Sequence, residues 1–97
     1  MYQKFIINEG RLKAGVVDEH IELAKDHSTT RGGGWWYMDM ENRKIWLYGR
    51  SIRFGSVKSE LLKEIIAAGR HDYPGYSWYF SSSRDLDHAM KKGEMVE

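Results

Sequence analysis

The 97-residue chain has no cysteine, a single proline and no excess charge of either sign: 15 Lys and Arg against 14 Asp and Glu leave a formal net charge of +1. Without cysteine there can be no disulfide, no thiolate nucleophile and no Cys-based zinc or iron–sulfur site. A small domain that folds without disulfides suits a reducing compartment, and the expected location is the cytoplasm. The balanced charge removes the global basic field that nucleic-acid binding draws on, although a local basic pocket stays open. No apolar run approaches the ~20 residues needed to span a bilayer. The opening segment MYQKFII also lacks the apolar core of a signal peptide. Neither nucleic acid nor a membrane is therefore an expected partner, and the expected assembly is a monomer.

What is present is enough for a core. The composition is 41% hydrophobic and 13% aromatic, which argues against disorder. The length suits one domain over residues 1–97. In so small a domain the four Trp and six Tyr carry much of the buried area, at roughly 1.5–3 kcal/mol per well-buried large side chain.

Lys4 to Asn8 reads as a strand, and Glu9-Gly10 as a turn. Arg11 to Gly15 is a second short strand or an irregular connection. Val17, Ile21 and Ala24 then fall at helical spacing with Leu23 beside them, which predicts a helix from Asp18, its N-cap, to about His27. Arg31-Gly32-Gly33-Gly34 is expected to break regular structure. Trp35–Met40 and Lys44–Gly49 predict a β-hairpin around Glu41-Asn42-Arg43. Gly49 to Gly55 is a glycine-bounded loop, and Ser56 is the expected cap of the next helix. Val57, Leu61, Leu62, Ile65 and Ile66 form the apolar face of that helix and Gly69 its stop. After the Tyr73-Pro74-Gly75 turn, Tyr76 to Ser81 is the last expected strand. Ser83 to Gly93 is a short terminal helix, placed to cover the sheet edge. The order predicts an α+β (mixed α/β) fold: a single mixed sheet of about five to six strands, flanked by two main helices plus a short C-terminal helix.

Two places carry possible chemistry. His20 falls in the first turn of the first expected helix, where the helix dipole disfavours imidazolium. A neutral imidazole can act as nucleophile or general base, yet a lone histidine is also an ordinary packing residue. The second place is the Gly49–Gly55 loop, which leads into a helix N-terminus. Its N–H groups can converge on an anion, with Arg50 and Arg53 adding charge, although a strand-to-helix loop with exposed arginines is equally consistent. The nucleotide pattern G-x-x-x-x-G-K-[ST] is absent. His20 and His27 lie too far apart to share a metal ion without other ligands, and no H-E-x-x-H occurs. Neither a metal nor another cofactor is expected. The serines at 81–83 lack a G-x-S-x-G elbow, and the tryptophans read as core rather than as base-stacking platforms.

Taken together, Gly32-Gly33-Gly34, the hairpin and the run Lys44-Ile45-Trp46-Leu47-Tyr48-Gly49-Arg50-Ser51-Ile52-Arg53-Phe54-Gly55, with Tyr73-Pro74-Gly75-Tyr76 beyond the next helix, resemble the Janus/Ocnus family. That family includes the small phosphohistidine phosphatase of animals. The resemblance covers roughly residues 2 to 80. It implies that His20 is catalytic and that Ser51, Ile52 and Arg53 form a phosphate-binding loop, largely through backbone N–H groups. It also implies that Lys4 lines the same pocket and that the substrate is a phosphorylated protein. The alternative is a non-catalytic module that binds a phosphorylated or otherwise anionic ligand. The chain departs from the family at Trp35, where animal members carry arginine, and at Leu12, where they carry another. Arg53 replaces a smaller residue, the connection from His27 to Gly32 is shorter, and the tail from Arg84 is extra.

Overall fold

A computed structural model describes residues 3–81 and 83–96; residues 1, 2, 82 and 97 lie outside it. The chain runs β1 (Gln3–Asn8), β2 (Arg11–Gly15), a 3₁₀ turn (His20–Leu23), β3 (Thr30–Asp39), β4 (Lys44–Tyr48), α1 (Ser59–Ala67), β5 (Ser77–Ser81), α2 (Leu86–Lys92) and β6 (Glu94–Met95). The strands form one sheet in the order β2-β1-β3-β4-β5-β6. Its pairs are antiparallel except β4 with β5, which is parallel and bridged by a connection containing α1. This is the expected α+β fold with one mixed sheet. No helix of the described residues is long and apolar enough to cross a membrane.

Strand alternation sorts the sheet into two faces. Phe5, Ile7, Trp36, Ile45, Leu47 and Trp78 bury with Leu62, Ile65 and Ile66 of α1 in one core cluster. Trp36 is fully buried and meets Trp78 edge-to-face at 5.5 Å. The alternate residues, Lys4 and Ile6 of β1 and Trp35 of β3, take the other face. The 3₁₀ turn packs against β1 and β2.

The helix expected over Asp18–His27 is a single 3₁₀ turn, with extended backbone at Glu19 and Ala24 on either side. A side chain at the segment's own end takes a carbonyl that a helix would need. The Ile21 carbonyl accepts from His27 Nε2–H at 2.7 Å, and the Asp26 carbonyl accepts from Asn8 Nδ2 at 2.8 Å. The N-cap is Glu19 rather than Asp18; the Glu19 N–H donates to the Glu22 carboxylate at 2.7 Å.

The three glycines do not break structure. They lie within β3, buried between its neighbours. A Cβ on Gly33 would lie 2.4 Å from the Phe5 carbonyl oxygen, and one on Gly34 would lie 2.6 Å from that of Tyr48. The register shifts between Ile6 and Asn8, opposite Gly32, whose φ of 107° is open to glycine. Close approach of three strands therefore explains Gly33 and Gly34, while a Cβ on Gly32 would lie 2.5 Å from the Ser56 carbonyl oxygen.

Two helix starts also move. α1 begins at Ser59 after an N-cap at Lys58, not at Ser56. It ends as expected, with the N–H of Gly69 on the Ile66 carbonyl and that of Arg70 on the Ile65 carbonyl. α2 is capped by Asp85, whose carboxylate accepts from the Asp87 N–H at 3.1 Å. The edge of β5 is covered by β6, a strand the sequence pattern did not reveal, while α2 packs on β4 and β5.

Gly33→Ala is expected to destabilise the fold by about 1–3 kcal/mol, the usual range for overpacking, because the obstructing atom is backbone. Urea unfolding measures it. A loss below about 0.5 kcal/mol, the range of innocuous surface changes, would show that the strands separate easily and that close approach does not require the glycine.

Candidate active site

His20 opens the 3₁₀ turn and is 9% exposed. Its ring reaches β3, with Nε2 at 2.7 Å from the Gly34 carbonyl oxygen. A carbonyl can only accept, so Nε2 carries the proton and Nδ1 keeps its lone pair. Burial holds the imidazole below its usual pKa, and the Lys4 ammonium acts in the same direction; the bond to Gly34 partly opposes them. The ring is thus biased toward the neutral form, but desolvation is the main cause. The helix dipole invoked from the sequence has no counterpart, because the element is one four-residue turn.

One cavity of about 550 Å³ gathers the site residues that the resemblance implies: His20, Lys4, Ser51, Ile52 and Arg53 all line it. Arg50 lines it too. Lys4 is held by a hydrogen bond from Nζ to the Asp18 carbonyl, and the same Nζ sits 5.1 Å from the centre of the Trp35 ring.

The loop is built around Ser51, which is 1% exposed. Its N–H donates to the carbonyls of Gly33 (3.1 Å) and Gly55 (3.2 Å), and its carbonyl accepts from the Gly55 N–H at 2.9 Å. Its Oγ accepts from the Phe54 N–H at 3.1 Å. Ser51 therefore spends its N–H inside the fold, which corrects the expectation that this N–H serves a ligand. The N–H groups of Ile52 and Arg53 have no partner in the hydrogen bonds of the described residues. Both residues line the cavity, so the loop brings two unengaged main-chain donors to it. The N-terminus of α1 is not part of the cavity, since the helix starts only at Ser59.

His27 is structural. Its Nε2–H binds the Ile21 carbonyl, its Nδ1 accepts from the Thr30 hydroxyl at 2.8 Å, and its ring stacks on Phe54 at 4.7 Å. Ser83 also serves the backbone: its carbonyl accepts from the Gly49 N–H at 2.8 Å, which ties the C-terminal segment to the loop. Ser82 lies outside the described residues.

The family model of the Janus/Ocnus family (Ocnus) matches residues 13–77. The chain belongs to the Janus/Ocnus family. No curated protein matches it. The span matched by the Janus/Ocnus model contains His20, the three glycines and the Ser51–Arg53 loop, and it stops short of Lys4. Sequence reasoning missed Trp35, Asp18, Glu19 and Ile21 as lining residues. The signal for Trp35 was there in the strand alternation: once Trp36 is assigned to the core, its neighbour must face the other way.

The direction of the His20 shift predicts a pH effect. The folded chain releases this proton more readily than the unfolded chain, whose value is the ordinary 6.5. Protons therefore favour unfolding, and stability is lost as pH falls from about 6.5 toward the folded-state value. Urea unfolding at pH 7.5 and pH 5 should show a larger loss in the wild type than in His20→Asn, which keeps every other histidine. Equal losses would refute it.

Proposed function

We propose that the chain is a phosphohistidine phosphatase-like hydrolase that removes phosphate from a phosphoramidate on a protein. The observation that supports this is the convergence, on one cavity, of a buried imidazole biased toward its neutral form and a loop with two unengaged N–H donors. Phosphoryl transfer needs positioning and charge stabilisation more than covalent chemistry from the protein. The Ile52 and Arg53 N–H groups would hold the phosphoryl oxygens, with Lys4 and Arg53 adding positive charge. Because Nε2–H is committed to Gly34, chemistry at His20 falls to Nδ1. That lone pair either takes the proton of an attacking water or accepts the phosphoryl group before water releases it. General-base assistance of this kind is worth about 10²–10⁴ in rate. We place this activity in the cytoplasm, which suits a chain without cysteine.

A second reading rests on the same loop. The two free donors and the arginines would hold an anion whether or not His20 reacts, which is what a non-catalytic binding module needs.

His20→Ala should abolish release of phosphate from phosphohistidine or a phosphoramidate model compound, followed by ³¹P NMR, and should still bind inorganic phosphate. Activity within a few-fold of wild type would reject the catalytic role. Phosphate protection of the wild-type fold with no turnover would select the binding module.

A further inference from the structure

The cavity is larger and chemically broader than a phosphate site requires. Its volume of about 550 Å³ lies within the ~300–1,000 Å³ of small-molecule pockets. Lys4, Arg50 and Arg53 supply positive charge, but the same lining includes Asp18, Glu19 and the indole of Trp35. Acidic residues repel a phosphoryl group, and an indole face gives it nothing. Both favour a planar cation.

Trp35 is held for such a role. It pairs with Lys4 on β1 and with Tyr48 on β4. Gly49 leaves room for the ring: a Cβ there would lie 2.9 Å from Trp35 Cδ1. The His20 ring meets the indole edge-on, 6.4 Å between centres at 81°. The indole thus stands beside the proposed reacting histidine and is only half-buried. It already attracts one cation, the Lys4 ammonium.

We propose that Trp35 is a specificity-determining residue whose indole receives the planar nitrogen ring of the substrate, the imidazolium of phosphohistidine, while the Ile52 and Arg53 N–H groups hold its phosphoryl group. This rests on the phosphoramidate reading above. In the overall hydrolysis, water oxygen becomes bonded to phosphorus and the P–N bond breaks, its electron pair staying on the ring nitrogen. The water's proton passes to His20 Nδ1, directly or as water releases a phosphoryl group held there. A ring protonated on its other nitrogen then leaves as neutral imidazole. The positive charge that holds the substrate on the indole is absent from the product, so the subsite favours substrate over product.

The test compares wild type, Trp35→Ala and Trp35→Phe on phosphoimidazole, which carries the ring, and on phosphoramidate, which does not. Trp35→Ala should lower the kcat/KM ratio of the first to the second by about tenfold, and Trp35→Phe should keep most of it. No change in the ratio, or an equal loss on both substrates, overturns the proposal. Calorimetric binding of (imidazolylmethyl)phosphonate against methylphosphonate gives a second readout that needs no turnover. A wild-type preference for the ring that Trp35→Ala removes supports the subsite even if neither phosphoramidate is hydrolysed, in which case only the catalytic reading fails. Turnover without any Trp35-dependent ring preference sinks the subsite alone.

Discussion

The site depends on one hydrogen bond, from Nε2–H of His20 to the carbonyl of Gly34. It anchors a short turn to a central strand, and it decides which ring nitrogen is free. The preceding carbonyl, that of Gly33, accepts the Ser51 N–H and so holds the other side of the cavity. Successive carbonyls along an extended strand alternate in direction, so two adjacent glycines can serve two elements on different sides. The glycines are needed for space as well. A Cβ on Gly33 would crowd both the Phe5 carbonyl and the His20 ring, the latter at 3.3 Å.

A turn of four residues cannot place a side chain by itself, so the connection around it is pinned by buried polar groups. Asn8 is fully buried; its amide donates to the Asp26 carbonyl and the Thr30 hydroxyl, and its oxygen accepts from Lys13 Nζ at 2.8 Å. The Thr30 hydroxyl in turn donates to His27, whose ring rests on Phe54 of the Gly49–Gly55 loop. Satisfied networks of this kind rigidify a structure more than their separate bonds suggest. Here one runs from β1 through the connection to the loop, so the histidine side and the loop side of the cavity are joined at a second point.

The sheet, α1 and the hairpin were legible because their apolar residues repeat with the period of the element that buries them. The segment from Asp18 to His27 was not. Its spacing fits a helix, but the Ile21 carbonyl is taken by the His27 ring, and the end of the segment is held at Asp26 by Asn8, from a strand distant in sequence. The glycines misled for a related reason: a run without side chains reads as a break until the strands on either side are known. At the site, the cluster of His20, Lys4 and the loop was legible through the family pattern. The difference between Ser51, which closes the loop, and Ile52 and Arg53, whose N–H groups stay open, belongs to hydrogen bonding that spacing does not encode.

Near-neutral net charge and a basic cavity are compatible because the field that matters is local. Lys4, Arg50 and Arg53 come from a strand and a loop far apart in sequence, and the fold sets them around one cavity. Within a few ångströms in a partly desolvated site, such charges act far more strongly than the sum over the surface. At longer range the 14 acidic residues offset them, so the chain would not gather polyanions indiscriminately. The function proposed above asks for this balance: a phosphoryl centre and the group that carries it would be recognised after contact, by shape and short-range charge rather than by long-range attraction.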